Sequence, residues 1–364
     1  GGPDNSSEKM GENKLYRNFQ QVKLSPEDDT WVVKAGDDDL DWVDADSSSS
    51  FDKLSYAGQS AGTFSSAKMG EGARYRNFNE AELTSGNDQW DYATTDDSLK
   101  VDAGGGTANL LNVDSLSLTG SEVGDYSGFE TLRLVNGATL TSTDNASLGV
   151  NNLQLQNGAT LVLGDTLLAL SGSYTQDGSS MLTMNAQTNL ASARLMANQV
   201  TFSPGTQIRF LSETPADYSV VNRYTNRVAQ ASANLNVGSL DTLLQAVSPF
   251  EIKDWYEEDN SLFAIFDRRS LTHATKGFGV ATGSKLKRIL TEIDTLKGDE
   301  ASRMVNFVFA GNNSVEELEK VYHRTVALPR TMSHQRQGVL RTIGLRTGER
   351  RMLLSAGGGA RGPA

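Results

Sequence analysis

The sequence predicts an all-β fold, a parallel β-helix or closely related β-solenoid from near residue 10 to about residue 270, followed by a smaller α-helical C-terminal segment. Three observations carry this. Leu132-Arg-Leu-Val-Asn136-Gly137-Ala138-Thr139-Leu140 returns 21 residues later as Leu153-Gln-Leu-Gln-Asn157-Gly158-Ala159-Thr160-Leu161. A longer echo precedes it, displaced by 59 residues. At about Ser270 the apolar period changes from that of strands to that of helices.

The short repeat is a structural instruction. Alternating Leu-x-Leu reads as a strand with one buried face, and Asn-Gly followed by small and β-branched residues reads as a tight turn into the next strand. One such unit cannot bury its own apolar face, so it stacks on copies of itself. Asp177-Gly178-Ser179-Ser180-Met181 and Pro204-Gly205-Thr206-Gln207-Ile208 keep the order of turn, glycine, small polar and apolar residue, 20 and 27 residues further on.

Upstream, Lys9-Met10-Gly11-Glu12 with Tyr16-Arg17-Asn18-Phe19, Leu24, Trp31 and Leu40 recurs as Lys68-Met69-Gly70-Glu71 with Tyr75-Arg76-Asn77-Phe78, Leu83, Trp90 and Leu99. The offset of 59 is close to three 20-residue periods, which fits both repeats into one solenoid. A third Tyr-x-x-Phe, Tyr126 to Phe129, follows 51 residues after the second and indicates a shortened loop.

Past Ser270 the grammar is helical. Ser284 precedes Leu286, Ile289, Leu290, Ile293 and Leu296, which share one helix face. Ser314-Val-Glu-Glu317 opens a second helix through Leu318, Val321 and Tyr322 as a capping box, and Pro329 closes it. A third, basic stretch over 331–346 carries Val339, Leu340 and Ile343, and 347–364 dissolves into a linker around Ala356-Gly-Gly-Gly-Ala360.

Composition narrows the setting. The 35 glycines against 7 prolines in 364 residues suit a fold with frequent turns. Cysteine is absent, which removes disulfides, thiolate catalysis and cysteine zinc sites and is compatible with an exported protein. No signal-peptide pattern and no apolar run of eighteen residues occurs, which reads as a cytosolic protein or a mature fragment. Residues 271–364 carry 15 Lys/Arg and 8 Asp/Glu, net +7; the chain total of −12 therefore leaves −19 on residues 1–270. An acidic body repels nucleic acid and anionic membrane at long range, so nucleic acid is not an expected partner.

Candidate chemistry is sparse, and the sequence assigns no catalytic, cofactor-binding or metal-binding residue. His273, His323 and His334 all lie in the helical tail, so no Ser/His/Asp triad forms within the solenoid. Gly58-Gln-Ser60-Ala-Gly62 matches the G-x-S-x-G elbow, but no helix pattern follows, and a Gly/Ser turn is the better reading. The run Asp37-Asp38-Asp39-Leu40-Asp41-Trp42-Val43-Asp44-Ala45-Asp46 could gather Ca²⁺. Its repeat partner, residues 95–102, places Lys100 where Asp41 stands, and no EF-hand or RTX spacing appears, so a solvated loop is favoured over a calcium site. Paired aspartates also serve glycoside hydrolases and β-helical lyases, yet on so acidic a surface no pair is assignable as acid and base.

Tyr16 to Phe19 and Tyr75 to Phe78 read as core or capping aromatics in preference to ligand-contacting ones. Lys297-Gly298-Asp299 is a tripeptide expected by chance. Arg336, Arg341, Arg346, Arg350 and Arg351 are spread along the tail, so packing explains them as well as anionic lipid or nucleic acid does.

The run Tyr126-Ser-Gly-Phe-Glu-Thr-Leu-Arg-Leu-Val-Asn-Gly-Ala-Thr-Leu140 resembles the passenger domains of bacterial autotransporters, the type V secreted proteins. The resemblance implies coils of a right-handed β-helix over 1–199. It implies closing, autochaperone-like coils over 200–270, on Tyr218-Ser-Val-Val221 and Ser261-Leu-Phe-Ala-Ile-Phe266. Residues 271–346 resemble the helical stretch before the family's membrane barrel, and 347–364 a flexible linker. The implied partner is a C-terminal outer-membrane β-barrel translocator, absent from this chain, and the implied location is the surface of a Gram-negative bacterium, or the medium if the passenger is released. The resulting expectation is a non-enzymatic passenger acting in adhesion, self-association or presentation, with a host-surface, glycan or self partner and no cofactor. A polysaccharide-acting lyase or glycoside hydrolase on a β-helix is the second expectation, to be recognised by a groove holding carboxylates beside a Lys or Arg. A phage-fibre-like solenoid, which would trimerise, is the third.

Overall fold

The structure, a computed structural model, describes residues 5–6, 20–34, 40–45, 51–65, 73–93, 99–142, 148–186, 192–212, 223–244, 250–268 and 291. Contacts divide the chain into two compact units, one of 1–213, 224–245 and 252–266, the other of 214–223, 246–251 and 267–364. The described strands fall almost wholly in the first. In the second, Arg223 and Asp267 form a two-pronged ion pair at 2.5 and 2.8 Å. The helices expected over 271–346, the linker 347–364, the three histidines and Lys297-Gly298-Asp299 lie outside the described residues, Thr291 apart.

The first unit is a β-solenoid of about seven turns, built from four sheets. A leading sheet of six strands stacks Asn5–Ser6, Thr30–Val32, Lys53–Ser55, Glu80–Glu82, Lys100–Asp102 and Tyr126–Ser127. A short sheet stacks Gln21–Lys23, Trp42–Asp44 and Tyr75–Arg76. The long sheet of 11 strands runs from Thr63–Ser65 through Gln89–Tyr92, Leu110–Asp114, Thr131–Val135, Asn152–Leu155, Ser173–Gln176 and Leu195–Phe202 to Arg223–Val237 and beyond. A trailing sheet of six strands runs from Ser117–Thr119 to Leu240–Leu244.

Every recorded pairing within these stacks is parallel, which is what a chain winding in one sense imposes. The 21-residue echo is one full turn. Leu132 pairs with Leu153 and Leu134 with Leu155 in the long sheet, while Leu140 pairs with Leu161 in the trailing sheet. All six leucines are buried, so like side chains stack into ladders that fill the interior, as the alternation demands.

The 59-residue echo is not a whole number of turns, which corrects the expectation of three short periods. Trp31 sits in the leading sheet, and its successors there are Leu54 and Ala81, 23 and then 27 residues on. Trp90, the repeat partner of Trp31, lies one sheet further along, in the long sheet beside Phe64 and Leu111. Fifty-nine residues therefore wind two turns and one side. The early turns are longer because their corners carry larger loops, and loop length decides which sheet a repeated phrase joins.

The last described strands depart from parallel winding. Phe250–Glu258 and Ser261–Arg268 form a hairpin at the end of the long sheet, turning on Asp259 and Asn260, both at positive φ. Tyr224 stacks on Phe266, Arg227 lies over Phe263 at 5.1 Å, and Ala231 N–H donates to Asn260 O, so the hairpin runs antiparallel to the strand that starts at Arg223. Phe210, Tyr224 and Phe266 form its apolar seat. The outermost strand exposes Lys253, Asp254, Glu257 and Glu258, a charged margin of the kind that discourages further strand addition.

Candidate functional site

Ladders of hydrogen bonds tie one turn to the next at the corners. At the lead-in to the leading sheet, Asp29 N–H donates to Asp52 Oδ1 and Asp52 N–H to Asn79 Oδ1, each at 2.9 Å. At the lead-in to the long sheet, Gly62 N–H donates to Asp88 Oδ1, Asp88 N–H to Asn109 Oδ1 and Asn109 N–H to Glu130 Oε2. Asp29, Asp52, Asp88 and Asn109 are buried, so each side chain meets an amide that would otherwise be orphaned.

The 59-residue echo survives here as chemistry. Ser25 N–H and Oγ–H donate to Asp29 Oδ2, and Thr84 N–H and Oγ1–H donate to Asp88 Oδ2, the same loop closed in the same way on different sheets. Sequence reasoning passed over these residues, although Asp29 and Asp88 stand 59 apart and so were visible in the repeat. The Thr119-Gly-Ser-Glu122 capping box, which opens the short helix Gly120–Val123, was legible in the same way.

The aromatic phrase is a corner as well. Asn77 and Gly128, the third residues of Tyr75 to Phe78 and Tyr126 to Phe129, both have positive φ, 62° and 74°. In each copy the turn swings Tyr and Phe into the core edge to face, with centroids 6.4 Å apart. The core reading holds for these two; Tyr16 to Phe19 lies outside the described residues.

A third ladder joins the long sheet to the trailing one. Asn136-Gly137 and Asn157-Gly158 all have positive φ. Asn136 Nδ2 donates to both oxygens of Asp114, Gly137 N–H to Asn157 O, Asn157 N–H to Asp177 Oδ2 at 2.6 Å and Gly158 N–H to Ser179 Oγ. Hydrogen bonds from Ser115 and Asn136 hold the Asp114 carboxyl below its usual range. For Asp177 burial pushes upward, but the Asn157 amide, Ser180 and Ser179 together outweigh it and the net shift is downward. Inside the same corner the buried Tyr174 hydroxyl donates to Gln176 Oε1, and burial raises that phenol well above its ordinary value.

Two polar clusters face outward. On the leading sheet Lys53 Nζ meets Glu80 at 2.7 Å and Glu82 at 3.6 Å. The Glu80 hydrogen bond raises the lysine against its partial burial, so this lysine stays charged and is a poor general base. On the long sheet Arg133 Nε donates to Asn112 Oδ1, while Asn112 Nδ2 and Gln89 Nε2 both donate to Asp91 Oδ1. This network ties three successive strands with its polar groups mutually engaged.

Two depressions open elsewhere. One of about 290 Å³ lies among Leu170, Ser171, Met196, Asn198 and Gln230. The other, of about 190 Å³, lies among Val237, Leu240, Trp255, Tyr256 and Glu257. Neither joins a carboxylate pair to a Lys or Arg. Among the described residues no group of three His, Asp or Glu side chains is arranged to hold a metal ion, and no helix is long and apolar enough to cross a membrane.

The sequence candidates disperse. Ser60 is exposed on a turn between Lys53–Ser55 and Thr63–Ser65, where Gln59 N–H donates to Tyr56 O. The solvated-loop reading of 37–46 is corrected at Trp42–Asp44, which is a strand of the short sheet: Val43 is buried, Asp44 accepts from Asn77 Nδ2, and Arg76 lies over Trp42. Asp37, Asp38, Asp39 and Asp46 lie outside the described residues. Comparison with family models, curated proteins and solved structures returns no match.

Proposed function

We propose that this chain is the surface-exposed passenger of a bacterial autotransporter, a non-enzymatic scaffold that presents a long β-face for adhesion or self-association. The observation that carries the reading is the uninterrupted parallel stack of the long sheet, whose outward side chains are tied across turns at Gln89, Asp91, Asn112 and Arg133. A rigid, flat, polar face suits binding. A hydrolase or lyase needs a cleft with an acid and a base, and the one lysine with two carboxylates on the outer surface has a raised pKa. The hairpin closing the long sheet and the passenger-like run 126–140 fit the same role.

Export through an outer-membrane pore proceeds without ATP outside the cell, and stacking each turn on the last supplies a driving force. At about 25 cal/mol per Å², burying about 100 Å² of apolar area per added turn yields roughly 2.5 kcal/mol before entropy costs. The test joins the chain to an outer-membrane barrel and follows display on the cell surface. Replacing Leu134, Leu140, Leu155 and Leu161 together by Ser is expected to stall display, and undiminished display counts against the reading. Displayed wild-type chain is expected to confer cell clumping or surface attachment; release of polysaccharide fragments without attachment would replace this reading with the enzymatic one.

A further inference from the structure

The two Asn-Gly corners share the sequence Asn-Gly-Ala-Thr-Leu and the same backbone, with Asn136 at φ 54° and Asn157 at φ 53°, each followed by glycine at 83°. They differ in what receives the glycine N–H. Gly137 N–H donates to the backbone carbonyl of Asn157 at 3.1 Å, and the Asn136 carboxamide is clamped on both oxygens of Asp114 at 3.1 Å. Gly158 N–H donates instead to Ser179 Oγ at 3.0 Å, and that hydroxyl donates to Asp177 Oδ1 at 2.9 Å. Asp177 is fixed by further bonds from Asn157 N–H, Ser179 N–H and Ser180 Oγ–H. No hydrogen bond restrains the Asn157 carboxamide among the described residues.

That difference is chemical. The amide nitrogen following an asparagine can attack the side-chain carbonyl once it sheds its proton. A backbone carbonyl cannot remove that proton. A serine hydroxyl can, if it passes its own proton to a carboxylate in the same movement.

We propose that Asn157–Gly158 is a self-modifying site, at which Ser179, backed by Asp177, accepts the Gly158 amide proton and drives conversion of Asn157 to aspartate and isoaspartate in the folded protein, while Asn136–Gly137 is protected. The Gly158 nitrogen forms a bond to Asn157 Cγ. The Cγ–Nδ2 bond breaks, the relayed proton leaves with that nitrogen as ammonia, and a five-membered imide remains. Water then opens the imide at either carbonyl, giving aspartate or isoaspartate; one water enters and one ammonia leaves, with no change of oxidation state. General-base assistance is worth about 10²–10⁴-fold in tuned sites, and a relay through one hydroxyl in a half-exposed corner is expected to give about tenfold.

The two corners control for each other. The intact chain is incubated at mildly alkaline pH, folded and in guanidinium, and conversion at each asparagine is followed by peptide mapping with mass spectrometry. The expected result is conversion about tenfold faster at Asn157 than at Asn136 in the folded chain, and near-equal rates in denaturant, where the local sequences are nearly the same. Ser179→Ala is expected to slow Asn157 without changing Asn136, and Ser179→Thr to restore it. An unfolding variant is distinguished because it accelerates Asn136 as well, in which case the wild-type and threonine rates decide. Equal rates in the folded chain, no conversion at Asn157 there, or a folded Ser179→Ala that reacts at the wild-type rate overturns the proposal.

Discussion

At the scale of single residues, the corners depend on a few side chains whose chemistry is specific. Asp177 has a folded pKa below its unfolded value, so the stability it contributes is present above the ordinary carboxylate range of about 3.9 and is lost as pH falls through the lower folded value. Asp177→Asn is expected to lower stability at neutral pH by several tenths to about 1 kcal/mol, solvent screening keeping the effect small. The deficit should close in acid, where wild type is neutral too; denaturant titrations at neutral and acid pH check this, and a deficit that persists in acid would assign the effect to shape instead of charge. Gly128 is a separate case. A Cβ there would force positive φ on alanine and bring it to 3.3 Å from Asp102 Oδ1, so Gly128→Ala is expected to cost about 1–2 kcal/mol. Asn77→Gly, at the matching corner, is expected to change stability by less than about 1 kcal/mol, and equal losses at the two positions would refute the shared-corner reading.

At the scale of the element, the repeated unit is a loop together with the strand it feeds. Asp88 takes one backbone amide from the preceding turn and two donors from Thr84, and it is buried. Asp88→Ala strands those donors and is expected to cost about 2–4 kcal/mol by chemical denaturation. Asp29→Ala removes the same loop closure from the leading sheet and is expected to lose a similar amount, since Ser25 and Asp29 repeat Thr84 and Asp88. A loss at one position with none at the other would mean that the loops are alike in sequence only.

At the scale of the whole molecule, each turn touches its neighbours alone, so damage at one end stays local. Phe266 is buried against Phe210 and Tyr224 and holds the hairpin on the long sheet. Phe266→Ala is expected to cost about 3–5 kcal/mol there and to raise hydrogen exchange first in 250–258 and 261–268, leaving 131–164 protected. Uniform loss of protection along the solenoid would show instead that the turns unfold as one. The acidic balance of residues 1–270 belongs to this scale as well, as a field that repels nucleic acid and so directs the search for partners elsewhere.

The sequence by itself determined the class of fold, the length of the central turn and the buried ladders at Leu132, Leu140, Leu153 and Leu161, because strand alternation and Asn-Gly turns are local properties written at a fixed spacing. It also carried the corner chemistry of Asp29 and Asp88, in a repeat whose meaning it left open. Only the tertiary structure decided which sheet each phrase joins. Trp31 and Trp90 are the same word in the sequence and occupy different sides of the solenoid, since the loops between them sum to two turns and a side. The same holds for the candidate sites. Gly158 and Gly137 are indistinguishable as sequence, and what their amides meet is set by the turn stacked next to each, where one finds a serine backed by a carboxylate and the other a backbone carbonyl.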